Sequence, residues 1–133
     1  MINKIDHIGI AVNSIDEALK LYTEVLGLSV KEVETVAEQK TRTAILPVGE
    51  SKLELLESTD PDGPVARFIQ KFGEGLHHIA LEVADIDQAL QRVSECEIPL
   101  IDQTPRKGVE NTRIAFLHPK GTGKVLLELV QPG

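Results

Sequence analysis

The sequence predicts an α+β fold made of two tandem strand-helix-three-strand (βαβββ) modules, and three observations carry that reading. Asp6–Leu19 aligns without a gap on His77–Leu90, 71 residues later, with seven of the fourteen pairs identical: His7/His78, Ile8/Ile79, Val12/Val83, Ile15/Ile86, Asp16/Asp87, Ala18/Ala89 and Leu19/Leu90. The same offset keeps four of six residues where Thr41–Leu46 meets Thr112–Leu117, and one slip of three residues, absorbed around Gly121–Gly123, brings Glu54-Leu55 onto Glu128-Leu129. Within each copy the apolar pattern changes from strand alternation to helical spacing and back. Self-similarity of this length means two copies of one supersecondary unit.

Ile5–Val12 alternates, with Ile8, Ile10 and Val12 on one face and the smaller, more polar His7, Gly9 and Ala11 on the other. Ser14 is a natural N-cap for a helix starting at Ile15, and Gly27 a natural stop after Leu26. Three strands, near 28–34, 41–48 and 51–57, complete the first module (1–58). A connector (59–74) follows: Pro61-Asp62-Gly63-Pro64 breaks the chain before an amphipathic turn or two of helix at Val65–Phe72. The second module (75–133) repeats the plan, with strands near 76–83, 98–103, 112–118 and 124–131 and a helix near 86–96. The two modules form a single domain over 1–133, an ordinary size for one shared core.

Bulk chemistry narrows the function. A formal charge of -7 repels a phosphate backbone, and with no Trp and one Tyr there is little surface for base stacking, so nucleic acid is not an expected partner. No apolar run reaches the roughly 18 residues that span a bilayer, the amino terminus lacks a signal-peptide core, and the lone Cys96 has no internal disulfide partner. These features lead us to expect a cytoplasmic protein without membrane association.

A histidine in a strand is usually a packing residue, and a glutamate in a strand usually faces water. Recurrence at equivalent places changes both estimates. Adjacent strand side chains point to opposite faces, so of His77-His78 only one shares a site with His7, and the repeat selects His78 because His77 falls opposite Asp6. Glu54 and Glu128 each sit between leucines, on the face those leucines do not occupy, and the apolar Val125–Val130 flanks suggest a buried central strand around Glu128. A buried carboxylate is costly without a cation. His7, Glu54, His78 and Glu128 therefore form a candidate metal set, and two imidazoles with two carboxylates suit one borderline divalent ion such as Co, Ni, Mn, Fe or Zn. Two positions of an octahedral shell would stay open for neighbouring substrate oxygens.

Other motifs point elsewhere. Lys120-Gly121-Thr122-Gly123-Lys124 lacks the phosphate-loop spacing and reads as a hairpin turn, with His118 a turn residue just before Pro119. Arg106, Lys107, Arg113, Lys120 and Lys124 concentrate positive charge in a short carboxy-terminal span, either as solvated surface or as a meeting place for an anionic ligand.

The duplicated module with His and Glu at matching places resembles the vicinal oxygen chelate (glyoxalase/bleomycin resistance) superfamily. Within it, DHIGIAV (6–12), GLHHIALEV (75–83) and FLHPKGTGKVLLELVQP (116–132) are similar to the methylmalonyl-CoA epimerases. The resemblance implies a cupped mixed sheet around one divalent metal held by His7, Glu54, His78 and Glu128, an acyl-CoA substrate and a homodimer. It implies interconversion of the 2R and 2S substrates by proton removal at C2, with Glu128 as one proton carrier. In some epimerases the ligand matching Glu54 is Gln, and a Glu here is closer to glyoxalase I. A glutathione-dependent glyoxalase is thus the alternative activity, and an antibiotic-sequestering protein the binding alternative, with only 3% aromatic residues to line its groove. An acid/base Glu proposed for some members falls on Thr43 when Glu38-Gln39 are matched, and Thr43 is a poor proton-transfer group.

Overall fold

The computed structural model describes residues 1–133. In chain order its elements are strand β1 (Ile2–Ala11), helix α1 (Ile15–Leu19, continuing as a π-helical stretch over Lys20–Val25), strands β2 (Glu32–Val36), β3 (Thr41–Val48) and β4 (Ser51–Ser58), helix α2 (Pro64–Phe72), strand β5 (Gly75–Val83), helix α3 (Ile86–Glu95), and strands β6 (Arg106–Lys107), β7 (Arg113–Leu117) and β8 (Leu127–Gln131). The expected α+β fold with two βαβββ runs is present. Contacts gather the chain into two compact units, one spanning His7–His77 and the other joining Met1–Asp6 with His78–Gly133.

In the 7–77 unit the strand order is β2-β3-β4-β1. β1 and β4 run parallel, which places His7 beside Lys52, Gly9 beside Glu54 and Ala11 beside Leu56; β3 and β4 run antiparallel, with Ile45 beside Glu54 and Thr43 beside Leu56. One sheet face packs Ala44, Leu46 and Leu55 against Ile15 and the rest of α1. At one end of the opposite face, Ala11 and Leu56 meet Val65, Phe68 and Ile69 of α2. Pro64 stands in the first turn of α2, where its missing N–H costs nothing, and Gly73 ends that helix at φ 81.

The 78–133 unit repeats the arrangement. β5 and β8 are parallel, with Ala80 beside Glu128, and β7 and β8 are antiparallel, with Phe116 beside Glu128 and Ile114 beside Val130. Val83, Ile86, Ala89, Leu90, Ala115, Leu117 and Leu129 form its main core. Having partners on both sides makes β8 the central strand the sequence suggested.

Four elements depart from the sequence reading. The strand expected near 28–34 forms at Glu32–Val36. The expected strand at 98–103 is reduced to a single bridge between Leu100 and Leu117, followed by the two-residue β6; Pro99 and Pro105 lack the N–H that a ladder requires. The last strand starts at Leu127 rather than 124, because Lys124 adopts φ 71 to close the turn after Pro119, and Val125 is 40% exposed rather than buried. The first helix widens after Leu19, where Thr23 Oγ1 donates to the Leu19 carbonyl at 2.7 Å and Leu26 N bonds five residues back to Leu21.

Candidate metal centre

Each half of the repeat builds the same small constellation. In the 7–77 unit, Glu54 is 3% exposed and lies across from Gly9, whose lack of a side chain leaves room on the sheet face for the carboxylate. His7, two residues upstream of Gly9 and therefore on the same face, is equally buried and brings Nδ1 to 3.2 Å from Glu54 Oε2. In the 78–133 unit Ala80 is the small residue opposite Glu128. His78, again two residues upstream, brings Nε2 to 2.9 Å from Glu128 Oε1. The Phe116 ring stands nearly perpendicular to the His78 imidazole, with centroids 5.5 Å apart, and walls this pair on one side.

Both pairs are anchored by backbone rather than by mobile loops. Ser14 Oγ accepts from Glu17 N and Asp85 Oδ1 from Gln88 N, the capping bonds that start α1 and α3 directly after β1 and β5. Glu57 Oε1, at the end of β4, accepts from Ile15 N at 2.7 Å, and Gln131 Oε1, at the end of β8, accepts from Ile86 N at 2.9 Å. Each helix is thus tied to the strand that carries its module's glutamate. These two ties were not anticipated from sequence, although Glu57 and Gln131 obey the same shifted offset as Glu54 and Glu128.

The donor set fits a divalent ion. Imidazole nitrogen and carboxylate oxygen bond such ions at about 2.0–2.2 Å, so two ligands at right angles sit about 3 Å apart, the spacing found in both pairs. The donor atoms on offer are nitrogen and oxygen, a set that suits borderline divalent metals, and Cys96 is exposed at the end of α3. Each buried carboxylate faces an imidazole, and a bound cation would further offset the cost of burying its charge.

The remaining candidates take the places expected for bystanders. His77 lies on the other side of its strand from His78 and meets the edge of Phe68 at 4.8 Å. His118 accepts a bond from Lys120 N and opens a short 3-10 turn at Pro119–Gly121, with Thr122 Oγ1 hydrogen-bonded to the carbonyls of Pro119 and Val125, so 119–124 is a turn and not a phosphate loop. Arg113 is committed to Asp87 by two bonds of 3.1 Å. Thr43 is 2% exposed on β3. Asp102 was overlooked in the sequence: it accepts the Phe116 backbone N–H at 2.9 Å and meets Arg106 Nε at 3.1 Å. It lies in the irregular segment between α3 and β6, where periodicity carries no signal.

Paired histidine and glutamate donors on central strands of a duplicated βαβββ plan define a class of protein. Residues 6–116 match the family model of the Glyoxalase/Bleomycin resistance protein/Dioxygenase superfamily, and the chain belongs to that superfamily. Among individual relatives, it is 46% identical to the Bacillus subtilis protein YqjC over 98% of this chain and 93% of the relative. It is 35% identical to the mitochondrial methylmalonyl-CoA epimerase of Dictyostelium discoideum over 96% of this chain and 78% of that enzyme. A solved methylmalonyl-CoA epimerase, in complex with methylmalonyl-CoA and NH4+, superimposes with a TM-score of 0.97 at 37% identity, covering 100% of this chain and 96% of that one.

Proposed function

We propose that this protein is a metal-dependent epimerase that interconverts the 2R and 2S forms of methylmalonyl-CoA, and that His7, Glu54, His78 and Glu128 together hold its one divalent ion. Similarity to epimerases along the whole chain, combined with the two buried His/Glu pairs, is the observation that carries this reading. The two modules act as a single domain over 1–133, and we take the enzyme to be a cytoplasmic homodimer. No helix is long and apolar enough to cross a membrane.

The chemistry asks little of the chain beyond placement. The hydrogen at C2 lies between a thioester and a carboxylate, and its removal puts charge on the thioester oxygen. A bound divalent ion supplies Lewis-acid stabilisation of that charge. His7 and His78 would present ring nitrogens to that ion from β1 and β5. Glu54 and Glu128 supply the negative charge that keeps a dication in a low-dielectric setting, and their burial holds competing water away. Glu128 is the carboxylate we assign to move the C2 proton. Inversion needs a second carrier for the opposite face; Thr43, a buried hydroxyl, is not assigned that role.

Incubation of the metal-loaded protein with one methylmalonyl-CoA epimer in deuterated water tests the proposal. Deuterium at C2 is expected. Absence of wash-in, together with turnover of methylglyoxal and glutathione, would replace the epimerase by a glyoxalase, the activity that Glu54 in place of Gln would suit.

A further inference from the structure

Arg106 is held unusually well for an exposed arginine. Its Nε meets Asp102 Oδ1 at 3.1 Å, and its guanidinium lies over the Phe116 ring, 5.6 Å from the centroid. The other oxygen of Asp102 accepts the Phe116 backbone N–H. Phe116 in turn stands against His78 and beside Glu128 in the sheet register. One carboxylate therefore fixes both the ring that walls the His78–Glu128 pair and the cation stacked on that ring. Arg113 differs, since Asp87 occupies both of its terminal nitrogens. The contacts of Arg106 use Nε and the flat face, which leaves the Nη edge, the part of the fork suited to a carboxylate or phosphate, directed to other partners.

A chain with a net charge of -7 repels an acyl-CoA, which carries several negative charges. A local, preoriented cation next to the His78–Glu128 pair offsets that repulsion where it matters. We propose that Arg106 is the substrate's anion anchor: its Nη edge binds an oxyanion of the acyl-CoA, with Asp102 and Phe116 as positioning residues that set its angle. The proposal rests on the epimerase reading. The oxyanion belongs either to the acyl carboxylate or to a phosphate of the CoA moiety, and the two are separable by experiment.

Binding of methylmalonyl-CoA and of propionyl-CoA, which keeps the phosphates and lacks the carboxylate, is measured on metal-loaded wild type, Arg106→Ala, Arg106→Lys and Arg113→Ala, with metal content and melting temperature recorded for each. Arg106→Ala is expected to weaken methylmalonyl-CoA binding by about 10- to 100-fold, the range for a charge-assisted hydrogen bond. Metal content should stay the same, which separates loss of the anchor from loss of the ion. Arg106→Lys keeps the charge but loses the fork and recovers only part of the affinity; Arg113→Ala matches wild type. Loss confined to methylmalonyl-CoA assigns the carboxylate, and equal loss for both ligands assigns a phosphate. Unchanged binding of both by a folded, metal-loaded Arg106→Ala overturns the proposal while leaving the epimerase standing. If wild type binds neither acyl-CoA, the epimerase reading falls and takes the proposal with it.

Discussion

The two modules agree at the four proposed donors and the residues that hold them, and differ at the positions around them. His7 and His78, Glu54 and Glu128, the small Gly9 and Ala80, the caps Ser14 and Asp85, and the helix ties Glu57 and Gln131 all stand in matching register. The positions flanking the glutamates diverge. Ile45 of the first module is replaced by Phe116 in the second, and Thr43 by Ile114. The Asp102-Arg106 pair is not repeated in sequence: Lys31 and Thr35 stand 71 residues earlier. A metal shell needs equivalent ligands and tolerates duplication, whereas an acyl-CoA has two unlike ends. Divergence around a preserved set of donors is what an asymmetric substrate demands.

The largest effects are expected at the histidines. His7→Ala and His78→Ala should each lower deuterium exchange at C2 by at least about 10²–10³-fold, the scale of losing the groups that stabilise developing charge; a clear difference between the two would show that the halves are not equivalent. The glutamates sharpen it. With metal saturating, Glu54→Gln should chiefly weaken the ion's affinity, whereas Glu128→Gln should also depress kcat, because only Glu128 is assigned a proton; equal kcat losses, read in steady-state kinetics, would remove that assignment.

Smaller effects test the scaffold. Ser14→Ala and Asp85→Ala each delete one capping bond and should cost about 1 kcal/mol, a fall of about 4 °C in Tm by calorimetry for a chain of this size. His77→Ala should leave metal content unchanged and the exchange rate within about threefold, since its ring meets Phe68 rather than the His78–Glu128 pair.

Much of this was legible before any coordinates. Strand alternation separated His78 from His77, and the offset of 71 residues with its slip of three brought Glu54 into line with Glu128. Local periodicity also placed α2 and α3 to within a residue or so of their ends. What stayed hidden depends on tertiary partners or on competition within a turn. Val125 reads as strand, but the left-handed Lys124 delays the ladder to Leu127. The stretch 98–103 has strand composition, yet Pro99 within it and Pro105 just beyond leave it one bridge. Nothing in the spacing of Asp102, Arg106 and Phe116 reveals that a carboxylate would grip one backbone and one guanidinium at once, because that contact exists only after β6 and β7 have paired.

Elemental analysis after equilibrium dialysis against a divalent metal, counting ions per chain, decides whether the two His/Glu pairs share one ion. One ion per chain is expected in wild type, with that ion lost on altering a histidine of either module. Two ions per chain, or a His7→Ala protein that keeps its full complement, would show that the two His/Glu pairs act separately and would contradict a shared ion.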